Sequence, residues 1–146
     1  MPPTALSDVA HTIQLSVAPV FLLTALGTLL AVLSARLGRI VDRARALSER
    51  LRAGAPAERD PIRAEIALLL RRRGRVNTAI VFATSAALLV CVLIGCAFVA
   101  AVIGASASSL VAALFIAAMA AFIGALVAFL TEIRLAVSSL RLEMEP

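Results

Sequence analysis

Val76–Thr131 reads VNTAIVFATSAALLVCVLIGCAFVAAVIGASASSLVAALFIAAMAAFIGALVAFLT, 56 consecutive residues without a charged side chain. A membrane-spanning helix needs roughly 20 apolar residues at 1.5 Å rise each, so this run holds two spans and a turn. The break falls at Gly104-Ala105-Ser106-Ala107-Ser108-Ser109, small and polar enough for a tight loop. The spacing predicts spans over about 76–103 and 110–131. A third charge-free run precedes them at about 12–35. The whole composition agrees: 62% of the 146 residues are hydrophobic, 16% are charged and the mean hydropathy is +1.02. Soluble domains are about 45–50% apolar and about 25% charged. Intrinsic disorder, a collagen and a disulfide scaffold are therefore excluded. A soluble core is excluded too, because nothing in the chain remains to cover three helices that are apolar all round. Residues 1–11 carry no Arg or Lys, and the first apolar run is too long for a cleaved signal peptide.

The arginines orient these spans. All 14 basic residues are Arg, and residues 36–75 hold twelve of them against five acids (Asp42, Glu49, Glu58, Asp60, Glu65). Arg134 and Arg141 follow the third span, whereas the N-terminal tail has only Asp8 and His11. By the positive-inside rule the tail and the 104–109 loop lie outside. The arginine-rich segment and the C-terminal tail, 132–146, lie in the cytoplasm. Topology and anionic headgroups account for the positive charge, so nucleic acid is not implied as a partner.

The segment between the first two spans is patterned. Leu37, Ile40, Ala44, Leu47 and Leu51 recur at spacings of 3, 4, 3 and 4, a heptad seam. The first helix is expected to leave the membrane and continue to about Arg52, stopping at Gly54 and Pro56. Asp60-Pro61 reads as a helix start, with Asp at the N-cap and Pro at the first helical position. Ile62, Ile66, Leu69 and Leu70 form the returning stripe. The expected fold is an all-α membrane protein, a single domain over 1–146. Its three transmembrane helices include two that extend into a cytoplasmic antiparallel hairpin over about 36–75. An amphipathic hairpin lying on the lipid surface is the alternative.

Lipid supplies no hydrophobic force between helices, so contact relies on small residues. The first span offers Thr24, Gly27, Thr28, Ala31, Ser34 and Ala35; the second Thr84, Ala87, Cys91 and Gly95; the third Ala113, Ala117, Ala121, Gly124 and Ala128. Three such stripes favour a homo-oligomer over a monomer, although an Ala-rich composition would also produce them. Thr24, Gly27, Thr28, Ala31 and Ser34 form either a packing stripe or a pore lining. Pro19 frees the Leu15 carbonyl and predicts a bend.

No catalytic constellation is present, so the chain does not read as an enzyme, and neither a cofactor nor a metal is implied. Cys91 and Cys96 lie on helix faces about 140° apart and pack as small hydrophobes. Asp8, His11 and Gln14, at i, i+3 and i+6, form an outer polar cluster that marks the membrane boundary or an ion entry. Asn77 sits just inside the second span. Glu132 ends the third span at the level of Arg36, Arg39 and Arg75. A carboxylate at that depth is costly unless paired, which predicts an ion pair to one of these arginines.

Several stretches carry a resemblance: Gln14-Leu15 with Ala18-Pro19-Val20-Phe21-Leu22-Leu23, Arg36-Leu37-Gly38-Arg39-Ile40-Val41-Asp42-Arg43, and Arg71-Arg72. Val76-Asn77-Thr78-Ala79-Ile80 and Phe129-Leu130-Thr131-Glu132-Ile133-Arg134-Leu135-Ala136 complete the pattern. On these residues the chain resembles a family of small bacterial membrane proteins known as domain of unknown function 2721, over nearly all of residues 8–142. The resemblance implies a three-span inner-membrane protein and brings no activity or site residue with it.

Two functions fit. One is an ion-conducting or ion-responsive homo-oligomer of the bacterial plasma membrane, its path lined by the first helix. The other is a non-conducting scaffold whose hairpin, through Arg43, Arg45, Arg50 and Arg52, docks a cytoplasmic partner or anionic lipid headgroups. A transporter is a weaker third, because three spans leave little room for paired inverted repeats.

Overall fold

A computed structural model of the chain describes the backbone of residues 3–53 and 59–143, and the side chains of residues 17–53 and 59–134. Among the described residues every regular element is helical: α1 (Pro3–Ala53), α2 (Arg59–Ile103) and α3 (Ser108–Glu143). All three are long and apolar enough to cross a membrane. In the most apolar window of each helix only 17, 17 and 11% of the residues are buried inside the protein. The uncovered remainder includes Phe21, Leu88, Val102 and Ile116, side chains that need lipid rather than water around them. With 51 and 45 residues, α1 and α2 far exceed the roughly 20 that a bilayer requires. Helix therefore continues past the hydrocarbon on both. The third helix also runs on beyond its charge-free stretch, to Glu143.

Local chemistry sets the ends. Arg50 and Arg52 occupy the last turn of α1, and Asp60 the first turn of α2, each opposing the partial charge of its helix terminus. The α2–α3 turn is closed by Gly104, whose φ of 68° is the left-handed conformation that side chains resist. The Ala105 amide then donates to the Ala100 carbonyl at 3.1 Å, the bond that satisfies the end of a helix stopped by such a glycine. Helix α3 begins as the Val111 amide donates to the Ala107 carbonyl at 3.0 Å.

The chain divides into two compact units. The first comprises Met1–Leu30 and Phe82–Gly124. Its core is Leu26 of α1, Ala83, Ala86, Val90 and Leu93 of α2, and Ala118 of α3. A Cβ at Gly124 would stand 3.1 Å from the Phe82 ring, so a side chain there would press on that ring. The second unit comprises Ala31–Val81 and Ala125–Pro146. Its core is Leu33 and Leu47 of α1, Val76 and Ala79 of α2, and Ala125 and Glu132 of α3.

Every core residue obeys a heptad period. On α1, Leu26, Leu33 and Leu47 fall on one seam, with half-buried Ile40 between the last two. On α2, Val76, Ala79, Ala83, Ala86, Val90 and Leu93 step by 3, 4, 3, 4 and 3; on α3, Ala118, Ala125 and Glu132 step by seven. These steps average the 3.5-residue period of a heptad seam. The hairpin seam expected over Leu37–Leu51 is part of it, with Leu47 buried and Leu37, Ile40, Ala44 and Leu51 half-buried. The returning stripe differs by one member. Ile62, Ile66 and Leu69 turn partly inward, whereas Leu70 is 52% exposed, because Leu69 holds the seam position and the next residue lies about 100° further round.

The small-residue stripes are placed differently from their simplest reading. Thr24, Gly27, Thr28, Ala31, Ser34 and Ala35 are all exposed, and α1 packs inward through leucines instead. On α2 the buried small residues, Ala83 and Ala86, stand one position before Thr84 and Ala87. On α3 they are Ala118 and Ala125, one position after Ala117 and Gly124 of the expected series. Pro19 is buried inside α1, which is helical on both sides of it.

Candidate functional site

The most heavily constrained polar group is Glu132. Its side chain is 6% exposed, and Arg36 Nη1 donates to its Oε2 at 2.6 Å. The Arg36 guanidinium also lies over the Phe129 ring, 5.2 Å from its centroid. Arg36 thus offers donors to the carboxylate and its planar face to the aromatic ring, a geometry lysine could not reproduce. Phe129 and Glu132 are three residues apart on α3, so one helical turn presents both to the same arginine. Of Arg36, Arg39 and Arg75, the three arginines at this level by sequence, Arg36 makes the contact; Arg39 and Arg75 are exposed.

Seven residues further along α1, Arg43 donates from Nε and Nη2 to Glu65 Oε1 at 3.0 and 2.8 Å, joining the two arms of the hairpin. Both side chains are well exposed, at 54 and 41%, so this pair contributes little to stability and more to register.

Two grooves flank the arms. One, of about 520 Å³, has Ile40, Ala44, Ile66 and Leu69 among its apolar lining, with Arg45, Arg52, Arg73 and Glu49 beside them. The other, of about 580 Å³, is lined by Leu47, Ala53, Pro61 and Ile62 with Arg43, Arg50 and Glu65. The four arginines proposed for lipid or partner contact therefore separate onto two faces. Arg45 and Arg52 line the first groove, and Arg43 and Arg50 the second. Both grooves offer guanidinium groups beside apolar side chains, which suits amphipathic acidic ligands.

Along the exposed face of α1, the Thr24 hydroxyl donates to the Val20 carbonyl at 3.3 Å and the Thr28 hydroxyl to the Thr24 carbonyl at 3.0 Å. Both hydroxyls spend their proton on the helix backbone and keep oxygen lone pairs free on the outer face. Gly27 on the same face has open space where a Cβ would stand, as does Gly38 further along the helix. Asn77 is exposed, Cys91 is exposed and Cys96 half-buried, and no metal-binding cluster occurs among the described residues. Asp8, His11 and Gln14 lie outside the residues whose side chains are described.

Phe129 under Arg36, Glu65 on Arg43 and both grooves were missed by sequence reasoning. The spacing of Arg36, Arg43 and Arg50 by sevens was the available signal, since it puts three guanidinium groups in one column on the helix.

Residues 16–142 match the family model described as "Protein of unknown function (DUF2721)". No curated protein and no solved structure matches the chain.

Proposed function

From the premise that the chain belongs to the DUF2721 family and carries three helices able to span a membrane, we propose that it works as a homo-oligomer in the bacterial plasma membrane. The oligomer conducts ions, or responds to them, along a path lined by α1. The observation that carries this reading is the face formed by Thr24, Gly27, Thr28, Ala31 and Ser34. It is small, partly polar and uncovered within the subunit, whereas a face used for lipid contact alone favours large apolar groups. Around a symmetry axis these residues bring backbones close, and the outward lone pairs of Thr24 and Thr28 offer acceptors to a passing cation. Asp8, His11 and Gln14 stand at the outer entrance and an arginine-rich vestibule at the inner one. The N-terminus is outside, with the hairpin and C-terminus cytoplasmic. The protein is not an enzyme and needs no cofactor. Reconstitution into liposomes, with flux recorded for K⁺, Na⁺, Ca²⁺ and Cl⁻ over a range of voltages, tests conduction. Thr24→Val with Thr28→Val is expected to change the permeability ratios, and silence for all four ions overturns the reading.

A second reading is supported by the two grooves. Here the oligomer is a non-conducting scaffold, and the hairpin docks a cytoplasmic partner or anionic lipid headgroups through Arg43, Arg45, Arg50 and Arg52. Charge reversal at these four positions is then expected to abolish binding to anionic vesicles or partner while leaving the oligomer intact.

A further inference from the structure

The hairpin arms of α1 and α2 leave one groove open between them, with Ile40, Val41 and Ala44 of α1 and Ile66, Leu69 and Leu70 of α2 as its apolar lining. None of its lining residues is buried, and Leu70 is 52% exposed. Arg45, Arg52 and Arg73 stand along it, exposed and without an ion pair or hydrogen bond among the described residues. Glu49, also exposed, is the one acid of the lining. Resting on the scaffold reading, we propose that this groove takes an acidic amphipathic helix of a cytoplasmic partner protein, laid along the hairpin as its third helix.

Ile40, Val41, Ala44, Ile66 and Leu69 are only half-buried by the two arms, so a third apolar surface is needed to finish covering them. A helix does so at the heptad period the arms already follow, the helix-in-groove mode of recognition. Reach separates a protein from a lipid. Arg36 is the first charge after the apolar run of α1, and α1 is continuous helix from the last turns of its span to Ala53. Its arm therefore leads away from the bilayer. Headgroups extend only about 5–8 Å beyond the hydrocarbon, whereas Arg45 and Arg52 lie about 14 and 24 Å past the level of Arg36 at helical rise. A lipid headgroup at Arg73, next to the charge-free run of α2, leaves both of them unmatched; a helix of about 17 residues reaches all three. Charge separates one protein from another. Three unpaired guanidinium groups against one carboxylate call for acids along the edges of the occupant's apolar stripe. The hairpin of a second copy brings the wrong sign, because residues 36–75 carry twelve arginines and five acids.

The test uses the full chain in nanodiscs of phosphatidylcholine, a lipid without net charge, with empty nanodiscs as the blank. The probe is a fluorescent peptide of about three heptads with Leu at a and d and Glu at e and g, titrated in about 0.15 M salt and read by anisotropy. It is expected to bind, whereas its counterpart with Lys at e and g is not. Arg45→Glu, Arg52→Glu and Arg73→Glu together weaken binding at least about ten-fold. Arg39→Glu, Arg59→Glu and Arg71→Glu make the same change of charge at exposed positions outside the groove and weaken it less than about three-fold. Leu70→Ser weakens it about three- to ten-fold. Leu68→Ser, at 48% exposure just as open but outside the groove, leaves it unchanged. Absent binding overturns the proposal, as do equal binding of the Lys peptide and equal losses within either pair of variants. Phosphatidylglycerol vesicles captured through Arg45, Arg52 and Arg73 while the Glu peptide stays unbound make a lipid the occupant, which overturns the proposal and leaves the scaffold reading standing. A Glu peptide bound by nanodiscs that hold one copy but excluded from those that hold several makes a second copy the occupant and overturns it too.

Discussion

Removing either partner of the Arg36–Glu132 pair is expected to destabilise the protein, but unequally. Arg36→Leu leaves a carboxylate that is 6% exposed without its counter-charge or its donor, a loss of about 3–5 kcal/mol for a buried ion. Glu132→Leu leaves an arginine that is 30% exposed and still stacked on Phe129. Its long stem lets the guanidinium turn toward headgroups or water, so this change costs about 1–2 kcal/mol, the worth of one charged hydrogen bond. The double variant, Arg36→Leu with Glu132→Leu, leaves no stranded charge and is expected to cost less than Arg36→Leu alone, about 2 kcal/mol or below. The thermodynamic cycle then gives a coupling of about 3 kcal/mol. Reversible unfolding by SDS titration in mixed micelles, followed by circular dichroism, measures all four free energies. Two equal single costs that simply add in the double variant would refute the reasoning, because they would mean that neither group is held out of water by the fold.

Three further outcomes are expected. Gly104→Ala destabilises by about 1 kcal/mol, read as a lower unfolding midpoint, since its φ of 68° disfavours a Cβ although open space surrounds it. Gly38→Ala stabilises the isolated subunit by about 0.5–1 kcal/mol through helix propensity, because no atom stands within 4 Å of the new Cβ. If copies meet on that face of α1, the same change weakens their association, measured by sedimentation or native mass spectrometry. Arg43→Ala or Glu65→Ala costs at most about 1 kcal/mol and the difference fades at high salt, as the exposure of both side chains dictates; a salt-independent loss contradicts this.

The hairpin was readable because it lies where polar and apolar residues contrast. Leu37, Ile40, Ala44, Leu47 and Leu51 stand out between Arg39, Asp42, Arg43, Glu49 and Arg50, so the heptad shows directly. Within the spans that contrast vanishes. Leu26 and Leu33 continue the same seam, yet nearly every neighbour is also apolar and no period can be seen. A small-residue criterion then selected Thr24 through Ser34 on α1, which lie on the opposite, uncovered side. On α2 it selected Thr84 and Ala87 instead of the adjacent Ala83 and Ala86, a one-residue slip in a stretch where almost every side chain is small. Glu132 announced a need for a partner because a carboxylate at a membrane edge is expensive. Its choice of Arg36 over Arg39 and Arg75 depends on which arginine the seam turns toward α3, and Phe129 had no polar signal to mark it.

The claim on which the rest depends is that the helices cross the bilayer three times with the arginine-rich hairpin on the cytoplasmic side. Single cysteines at Ser106 and Ser48, in a background lacking Cys91 and Cys96, can be labelled with a membrane-impermeant maleimide in intact cells and in inverted membrane vesicles. The account predicts that Ser106→Cys reacts in cells and Ser48→Cys reacts in inverted vesicles. Labelling of both positions from the same side would contradict it.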